Sequence, residues 1–385
     1  MRNRPWILGA FVLLGPTLAG CGAGPAAPIR VERADSAGIE IVSSRGADQP
    51  LPWRIGVVGT LATQNAPVAP EYLATDTAGR LYLLDPARAE VHVYDDGGRH
   101  VRTIPGRRAG VGELRMPRAL AATPDGTLVL GDALGGRNAL IRYAPDGEPL
   151  GVVALDVLYQ GGRLASSPLG TLLVVADHRT VRPVRRERLI AVTDDGVMHP
   201  IAHVDRPTPP LVHYRSCPVA LRLEPLFAPP LAWAAGGGSI AVAKDAEYRV
   251  DLFRDGVLAR SLRRRIEPRR VTYGLALRAA AGHVHDVGGR SCTLDPAEVV
   301  EARGHADVVP AVAALAVAPD GTVWVRRGEI EDEDATIDVF APDGAYRGTL
   351  PAGTPFPVAF LDERRFAAVV GDDVVIHEIE HLAVP

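Results

Sequence analysis

One short segment of the sequence contains several of the residue types that bind metal ions. His283, His285 and Asp286 lie within four positions, and Cys292 follows shortly after. Imidazole, carboxylate and thiolate groups are ligands of zinc and related ions, but two ligands on one helix need a spacing of three or four residues, whereas alternate residues converge on a strand. A metal site on a strand and exposed histidines beside a helix are therefore both compatible with the spacing. We adopt the second interpretation.

Other charged residues have suitable side chains without a diagnostic spacing. The acidic run from Glu329 to Asp334 could bind calcium, but it lacks the glycine and the alternating ligands of a calcium-binding loop, so we interpret it as a solvated loop. The pairs Arg185-Arg186 and Arg326-Arg327 are placed at strand ends, where arginine can hold a carboxylate at a channel mouth. Three further histidines are spread along a predicted loop and are not interpreted as metal ligands: His199, His203 and His213.

Catalytic residues are not predicted. We identify no Gly-x-Ser-x-Gly elbow, no phosphate-binding loop and no His-Glu-x-x-His zinc motif. His178 directly follows a predicted second strand that ends in Val174-Val175-Ala176-Asp177, which makes it the one candidate for a base at a channel mouth. We therefore predict no cofactor and no metal, and we favour a protein that is not an enzyme.

A different chemistry is indicated near the N-terminus. The residues Leu18-Ala19-Gly20-Cys21 end a short apolar run, and the run follows the basic start Met1-Arg2-Asn3-Arg4. The uncharged stretch from Pro5 to Thr17 is interrupted by Pro16 and is too short to span a bilayer, which is typical of a signal peptide. The alternative is a plain secretory signal with an incidental cysteine.

This arrangement resembles that of bacterial lipoproteins. In that family, the cysteine thiol is alkylated with diacylglycerol, the chain is cut before the cysteine, and the new amino terminus is acylated with a fatty acid such as palmitate. The resemblance implies a signal peptide at residues 1–20, a lipidated Cys21 and a tether at residues 21–37. Gly22 is not the aspartate that retains some lipoproteins at the inner membrane, so we expect a lipid-anchored protein of the cell envelope, at the outer membrane and facing the periplasm.

Lipidation of Cys21 would leave Cys217 and Cys292 as the only cysteines able to pair. An oxidising compartment permits a disulfide between them, and two free thiols are the alternative. Both cysteines lie outside the repeats described below, so the bond would connect two long excursions of the chain.

Composition limits the kinds of partner. The 385-residue chain has a formal charge of -4, which becomes -6 without the two arginines of the signal peptide, so we predict no nucleic-acid partner. Lys244 is the only lysine. Because 47% of the residues are hydrophobic, the chain can fill the core of a large domain, and we expect that domain to be monomeric.

A repeated tripeptide organises the rest of the chain. Pro-Asp-Gly occurs four times between runs that alternate apolar and polar residues: at Pro124, Pro145, Pro319 and Pro342. Proline presets the first turn dihedral, aspartate caps its own backbone, and glycine accepts a positive φ, so each tripeptide predicts a hairpin corner. Aligning the flanking runs gives six copies of one unit, at residues 72–104, 119–153, 160–203, 230–262, 314–350 and 356–384.

These copies predict an all-β fold, a six-bladed β-propeller of four-stranded antiparallel blades. One meander exposes an apolar face that it cannot bury alone, and stacking six around an axis buries each face on the next. The last copy lacks a fourth strand, which we expect the stretch Gly38-Ile39-Glu40-Ile41-Val42 to supply, closing the ring. The predicted domain spans residues 38–385.

The second copy carries a more specific pattern before its first strand: Gly106, Gly110, Gly112, Leu114 and Pro117. It resembles the NHL repeat of six-bladed β-propellers, and the first and fifth copies carry the motif at useful strength. The asparagine and basic pair typical of that repeat is only approximated. The resemblance implies the fold and not an activity.

Two excursions interrupt the copies. Residues 204–229 are rich in proline and are predicted to drape over one rim as extended chain. Residues 263–308 form a partly helical insert, in which Asp295, Pro296, Glu298 and Gly304 mark the ends of a short helix. A second helix is predicted from Val271 to Ala280.

Together these features predict a membrane-anchored propeller that acts as a binding platform in the cell envelope, for a protein, a peptide or a glycan. The alternative is a metal-dependent hydrolase or lyase on the same fold, similar to lactonases or amidating lyases. Those enzymes place metal ligands near the axis, and no such ligands can be matched to positions in this chain.

Overall fold

The computed structural model describes residues 29–382, apart from 64–65, 107–109, 111, 135–136, 160–161, 177–182, 218–219, 283, 288–289 and 330–334. For residues 134, 137, 284–287 and 290 only the backbone is described. Within these ranges the chain forms six four-stranded antiparallel blades in a ring, as predicted. No helix in the described part is long and apolar enough to cross a membrane.

The strands follow in chain order. Three precede the first blade: β1 (Arg30–Ser36), β2 (Ile39–Arg45) and β3 (Trp53–Thr60). Blade 1 follows a 3-10 turn at Pro70–Tyr72 and contains β4 (Leu73–Thr75), β5 (Leu81–Asp85), β6 (Glu90–Tyr94) and β7 (His100–Pro105). Blade 2 contains β8 (Pro117–Ala122), β9 (Leu128–Leu134), β10 (Arg137–Tyr143) and β11 (Pro149–Ala154). Blade 3 contains β12 (Ala165–Ser167), β13 (Gly170–Ala176), β14 (Val184–Val192) and β15 (Met198–Pro207).

The second half of the ring repeats this order. Blade 4 contains β16 (Ala232–Gly236), β17 (Ser239–Ala243), β18 (Arg249–Arg254) and β19 (Val257–Arg264). An insert then contributes α1 (Tyr273–Ala280), β20 (Val284–Val287), β21 (Arg290–Thr293) and α2 (Pro296–Arg303). Blade 5 contains β22 (Val312–Val317), β23 (Val323–Arg327), β24 (Ile337–Phe340) and β25 (Tyr346–Leu350). Blade 6 contains β26 (Ala359–Phe360), β27 (Arg365–Val370), β28 (Asp373–His381) and, as its fourth strand, β3.

The four Pro-Asp-Gly tripeptides are hairpin corners, as predicted. The glycines Gly126, Gly147, Gly321 and Gly344 all have φ between 84° and 95°. At the first corner, the Gly126 N–H donates to the Thr123 carbonyl at 2.9 Å, and the Thr127 N–H donates to Asp125 at 3.1 Å. Glycine is needed because other residues avoid this left-handed region.

The hydrophobic core is divided among the blade interfaces. Six clusters of buried apolar side chains in the described residues each join two neighbouring blades. The cluster that joins blade 6 to blade 1 includes Leu73, Leu83, Ala367 and Ile376. Each blade thus buries the apolar face of the next, which is the physical reason for a ring.

The closing strand differs from the prediction. Strand β3 pairs with β28 from Trp53↔His381 to Thr60↔Val375, so blade 6 combines both ends of the chain. The stretch from Gly38 to Val42 lies instead at the start of β2, which pairs in parallel with β19 of blade 4. Both stretches can form strands, and local alternation does not specify which edge a strand joins.

Residues 30–60, which we call the N-terminal strap, run along the outer edges of blades 4, 5 and 6. Beyond β2, the Leu51 N–H donates to the Thr349 carbonyl at 3.1 Å, and the Thr349 N–H donates to the Gln49 carbonyl at 2.7 Å. Asp48 accepts from Arg264 of blade 4 at 2.6 Å and from Arg327 of blade 5 at 2.7 Å. The strap therefore cross-links three consecutive blades before it closes the ring.

The two excursions pack together into a satellite, defined here as residues 208–229 and 265–308, which follow the ends of β15 and β19. The proline-rich segment does not drape alone: Val212 bridges to Leu221, and Leu226 bridges to His305 of the insert. Both predicted helices are present. Asp295 accepts from the Glu298 N–H at 3.0 Å at the start of α2, and Thr272 caps α1.

The satellite has its own core of buried side chains: Tyr214, Cys217, Leu226, Val271, Leu275, Ala276, Ala280, Cys292, Leu294, Val299, Val300 and Val309. Within this core the Sγ atoms of Cys217 and Cys292 lie 1.97 Å apart, and their Cα atoms lie 5.2 Å apart. The two cysteines belong to different excursions, so a bond between them joins the excursions.

Candidate functional site

The innermost strands of the six blades surround a cavity of about 1300 Å³ on the ring axis. Each blade contributes at least one alanine to its wall, among them Ala74, Ala121, Ala165, Ala235, Ala316 and Ala359. Methyl side chains fill little volume, so they leave the axis open where larger apolar residues would fill it. The cavity opens at the exit face, where the chain leaves each innermost strand, and we call it the axial funnel.

The rim of the funnel is built from the corners that follow the innermost strands. Neighbouring corners contact one another directly: the Thr75 hydroxyl donates to the Phe360 carbonyl at 2.7 Å, and the Thr77 hydroxyl donates to the Pro124 carbonyl at 2.5 Å. A Cβ atom at Gly236 would collide with the Val317 carbonyl oxygen. These contacts between blades position the rim before any ligand arrives.

Arg163 lies at the inner end of the funnel, just before β12. Its Nη1 lies 3.4 Å from the carbonyl oxygens of Trp233 and Leu315, and its Nη2 lies 3.5 Å from that of Val358. The guanidinium stands over the Trp233 ring, 5.7 Å from the centroid. It also borders a second cavity of about 660 Å³ at the opposite end of the axis. Arg163 therefore separates the two cavities.

The charge of Arg163 is poorly compensated. Among the described residues no carboxylate forms an ion pair with it, and its three carbonyl contacts lie at the long limit for a hydrogen bond. Burial lowers the pKa of Arg163 from its ordinary value, although an arginine stays charged in proteins. A guanidinium with three long carbonyl contacts and no ion pair among the described residues thus lies between the two cavities.

The rim is acidic. Six carboxylates line the funnel: Asp76, Asp194, Asp195, Asp362, Glu363 and Glu378. Only two arginines besides Arg163 do so, Arg364 and Arg365. Burial opposes ionisation of Asp362, but N–H donors of Arg364 and Arg365 hold the pKa of Asp362 below its usual value. The described lining therefore combines one half-buried arginine at the inner end with a mouth rich in carboxylates.

Several predicted site residues lie outside the described residues. These are Cys21, His178, His283 and the acidic run beyond Glu329. Glu329 itself pairs with Arg269 at 3.0 Å. His285 lies on β20 opposite Cys292 on β21. Within the part of the chain that the structure describes, no three His, Cys, Asp or Glu side chains are grouped to hold a metal ion.

The predicted arginine pairs have other roles. Arg185 pairs with Glu187 and Glu224, and Arg186 pairs with Asp205 at 2.6 Å, so neither lines the channel. Arg326 borders the smaller cavity and stands over the Phe356 ring. The outer strand β15 carries His199 and His203, and His213 lies in the satellite.

A run that motif inspection missed is His377-Glu378-Ile379-Glu380-His381, which matches the zinc pattern His-Glu-x-x-His. That chemistry needs a helix, which brings both histidines to one face a single turn apart. Here the run lies on β28, where four residues span about 13 Å. His377 stacks on Phe366 and His381 on Trp53. The two rings therefore cannot share one ion.

Comparisons with known proteins identify the fold alone. No protein-family model and no curated protein matches the sequence. A solved structure from Bacteroides fragilis, described as an exported protein, has a TM-score of 0.50 and 8% identity, covering 89% of this chain and 99% of that one.

Two further solved structures have lower TM-scores. A member of the DUF4221 family from Bacteroides vulgatus has a TM-score of 0.48 and 8% identity, covering 86% of this chain and 99% of that one. A gluconolactonase from Xanthomonas campestris has a TM-score of 0.44 and 15% identity, covering 93% of this chain and 99% of that one. At such identities no activity is carried over.

Proposed function

We propose that this protein is a lipid-anchored binding platform of the cell envelope, and that the axial funnel is its binding site. The observation that carries the proposal is the funnel itself, an open cavity of about 1300 Å³ to which every blade contributes. Ligand pockets commonly measure about 300–1,000 Å³, so the funnel has room for a fragment of a peptide or a glycan, or for a segment of a partner protein. We expect the protein to bind this ligand as a monomer.

The position of the N-terminus supports this arrangement. Val31 on β1 is in register with Ser44, and Ser44 pairs with Arg264 at the end of β19. The chain leaves blade 4 towards the satellite at Arg264, so the N-terminal end of β1 lies at the face opposite the funnel mouth. A lipid on Cys21 is nine residues from Arg30, within about 30 Å. An anchored protein would then direct the funnel away from the membrane.

The proposal is tested by occluding the funnel. Ser166 lies on β12, is half-buried and lines the funnel, so Ser166→Trp places a large ring inside it. Val257→Trp is the matched control, because Val257 is 68% exposed on β19 and does not line the funnel. The mature chain is incubated with soluble peptide and glycan fragments from its own envelope, and retained species are identified by ultrafiltration and mass spectrometry.

The unmodified protein and Val257→Trp should retain the same species, and Ser166→Trp should lose at least about nine tenths of it. Equal retention by both tryptophan variants, or no enrichment by the unmodified protein, would contradict the proposal. Conversion of the retained species into a new product would favour the enzyme instead.

A further inference from the structure

The half-buried guanidinium of Arg163, at the inner end of the funnel, forms no ion pair among the described residues. Burying a charge is expensive unless it is paired and hydrogen-bonded, so proteins rarely retain such a group for stability alone. The carbonyl contacts of Arg163 are 3.4–3.5 Å long, whereas a bidentate guanidinium–carboxylate pair has distances near 2.8 Å. A carboxylate in the funnel would therefore form the hydrogen bonds that the protein leaves weak.

The charge around Arg163 restricts which anions can approach. Six carboxylates and three arginines line the described funnel, and Arg80 and Arg142 outside the lining pair with Asp76 and Asp194, so a small negative balance remains in spite of Arg163. A phosphate or a chain of uronic acids brings several negative charges past this mouth and is repelled. A single carboxylate on a neutral or positively charged body meets no such barrier.

The floor and mouth together favour one kind of ligand. A peptide carries one carboxylate at its C-terminus, and its basic side chains can pair with the acidic mouth. The alanines leave the axis open for the peptide's last residues, and apolar lining residues such as Leu169 and Phe360 can contact their side chains. A peptide end matches this profile, and a polyanionic glycan does not.

We propose that the axial funnel binds the free C-terminus of a neutral or basic peptide, with the terminal carboxylate on the Arg163 guanidinium. The inference rests on the proposed function and adds the chemical class of ligand to it. Arg163 is the anion-binding residue, and the acidic rim selects against polyanions.

The test compares two mixed-sequence libraries of N-acetylated tripeptides, identical except that one ends in a free carboxylate and the other in an amide. The mature chain with Cys21→Ser is incubated with each library, and retained peptides are quantified by ultrafiltration and mass spectrometry. Free-carboxylate peptides should be retained at least about tenfold more than their amides, with enrichment of Lys and Arg.

Variants separate the guanidinium from the fold. Arg163→Gln should reduce retention at least about tenfold, and Arg163→Lys should keep part of it, because lysine keeps the charge without the planar fork. Arg347→Gln is the matched control, since Arg347 is an exposed arginine on the outer strand β25 outside the funnel lining, and it should change retention less than about threefold. If Arg163→Gln does not fold, the inference is tested by the protein with Arg163 intact, through its retention of free-carboxylate peptides compared with that of their amides.

Equal retention of the two libraries, or retention of neither, would overturn the inference. Displacement of the peptides by inorganic phosphate or by oligomeric uronic acid at equal concentration would overturn the peptide assignment. This outcome can be distinguished from failure of the proposed function. If the envelope species that Ser166→Trp fails to retain carries no carboxylate, the funnel remains the binding site but this inference is rejected.

Discussion

Asp338 is fully buried and Arg163 is half-buried, and the two charges have very different partners. Asp338 accepts from Arg264, Arg327, Thr349 and the Tyr248 hydroxyl at 2.6 to 2.9 Å. Although burial opposes the charged form, hydrogen bonds to carboxylates raise the pKa of Arg327 above its ordinary value. Asp338 is thus saturated and structural, whereas Arg163 has weak partners and faces a cavity.

Replacing Asp338 should strongly destabilise the fold. Asp338→Asn keeps the shape but leaves two arginines without that charge, and breaking a buried ion pair costs about 3–5 kcal/mol. Asp205→Asn is the control, because its pair with Arg186 is exposed and contributes little to stability. Urea unfolding measures both. Equal free energies of unfolding for the two variants would show that the network is not structural.

The role of neither charge could be predicted from the sequence. Asp338 lies in an ordinary alternating strand, and its partners come from blade 4, blade 5 and the strap. Arg163 precedes a short strand outside any motif. One signal could have pointed to the funnel: every innermost strand carries an alanine, but its meaning depends on knowing that the strands surround an axis.

At the scale of elements, the hairpin corners and helix ends were predictable and the pairing of the strap was not. Asp295 and Gly304 mark α2 because they act on the adjacent backbone. The choice between β2 and β3 as the closing strand depends on blades that lie about 200 to 330 residues further along the chain. Local patterns do not encode such distant pairings.

Truncation tests the role of β3. A chain that starts at Ala47 lacks β1 and β2 but keeps Asp48 and β3, so it should still unfold in one cooperative transition, at a lower Tm. A chain that starts at Leu61 also lacks β3, which leaves β28 as a free edge and the ring open. We expect it to lose cooperative unfolding, as monitored by circular dichroism. If the chain that starts at Leu61 unfolded cooperatively with the same Tm as the chain that starts at Ala47, closure by β3 would be contradicted.

In the satellite, we predict that Cys217 and Cys292 form a disulfide bond. Thiol titration of the unfolded, unreduced Cys21→Ser protein should find no free thiol, and two thiols would reject the bond. The cysteines are 75 residues apart, and a loop of that length corresponds to roughly 4 kcal/mol in the chain-entropy model. Reduction should therefore lower the stability of the satellite more than that of the ring.

For the whole molecule, the number of blades follows from the sequence, while the binding site depends on closure. Six units with apolar faces predict the ring because each must bury its face on a neighbour. The funnel exists only once all six alanines surround one axis, so no single unit contains the information for it. Its negative mouth and positive floor likewise come from different blades.

The anchor orients the whole molecule. Cys21→Ser removes the proposed lipidated thiol without touching the propeller, so the protein should move from the membrane fraction to the soluble periplasmic fraction. Immunoblots of both fractions measure this, with Cys217→Ser as a control that should stay with the membrane. If Cys21→Ser remains in the membrane fraction, the anchor is not at Cys21.

The most direct test of ligand binding in the axial funnel is to measure amide hydrogen–deuterium exchange of the protein with and without the species retained from the soluble envelope fragments. Binding should slow amide exchange at the exit-face corners around residues 75–79, 122–126, 166–170, 236–239, 317–321 and 360–363, and leave the satellite and the strap unchanged. Slower exchange confined to the satellite or the outer strands, with unchanged corners, would contradict the account.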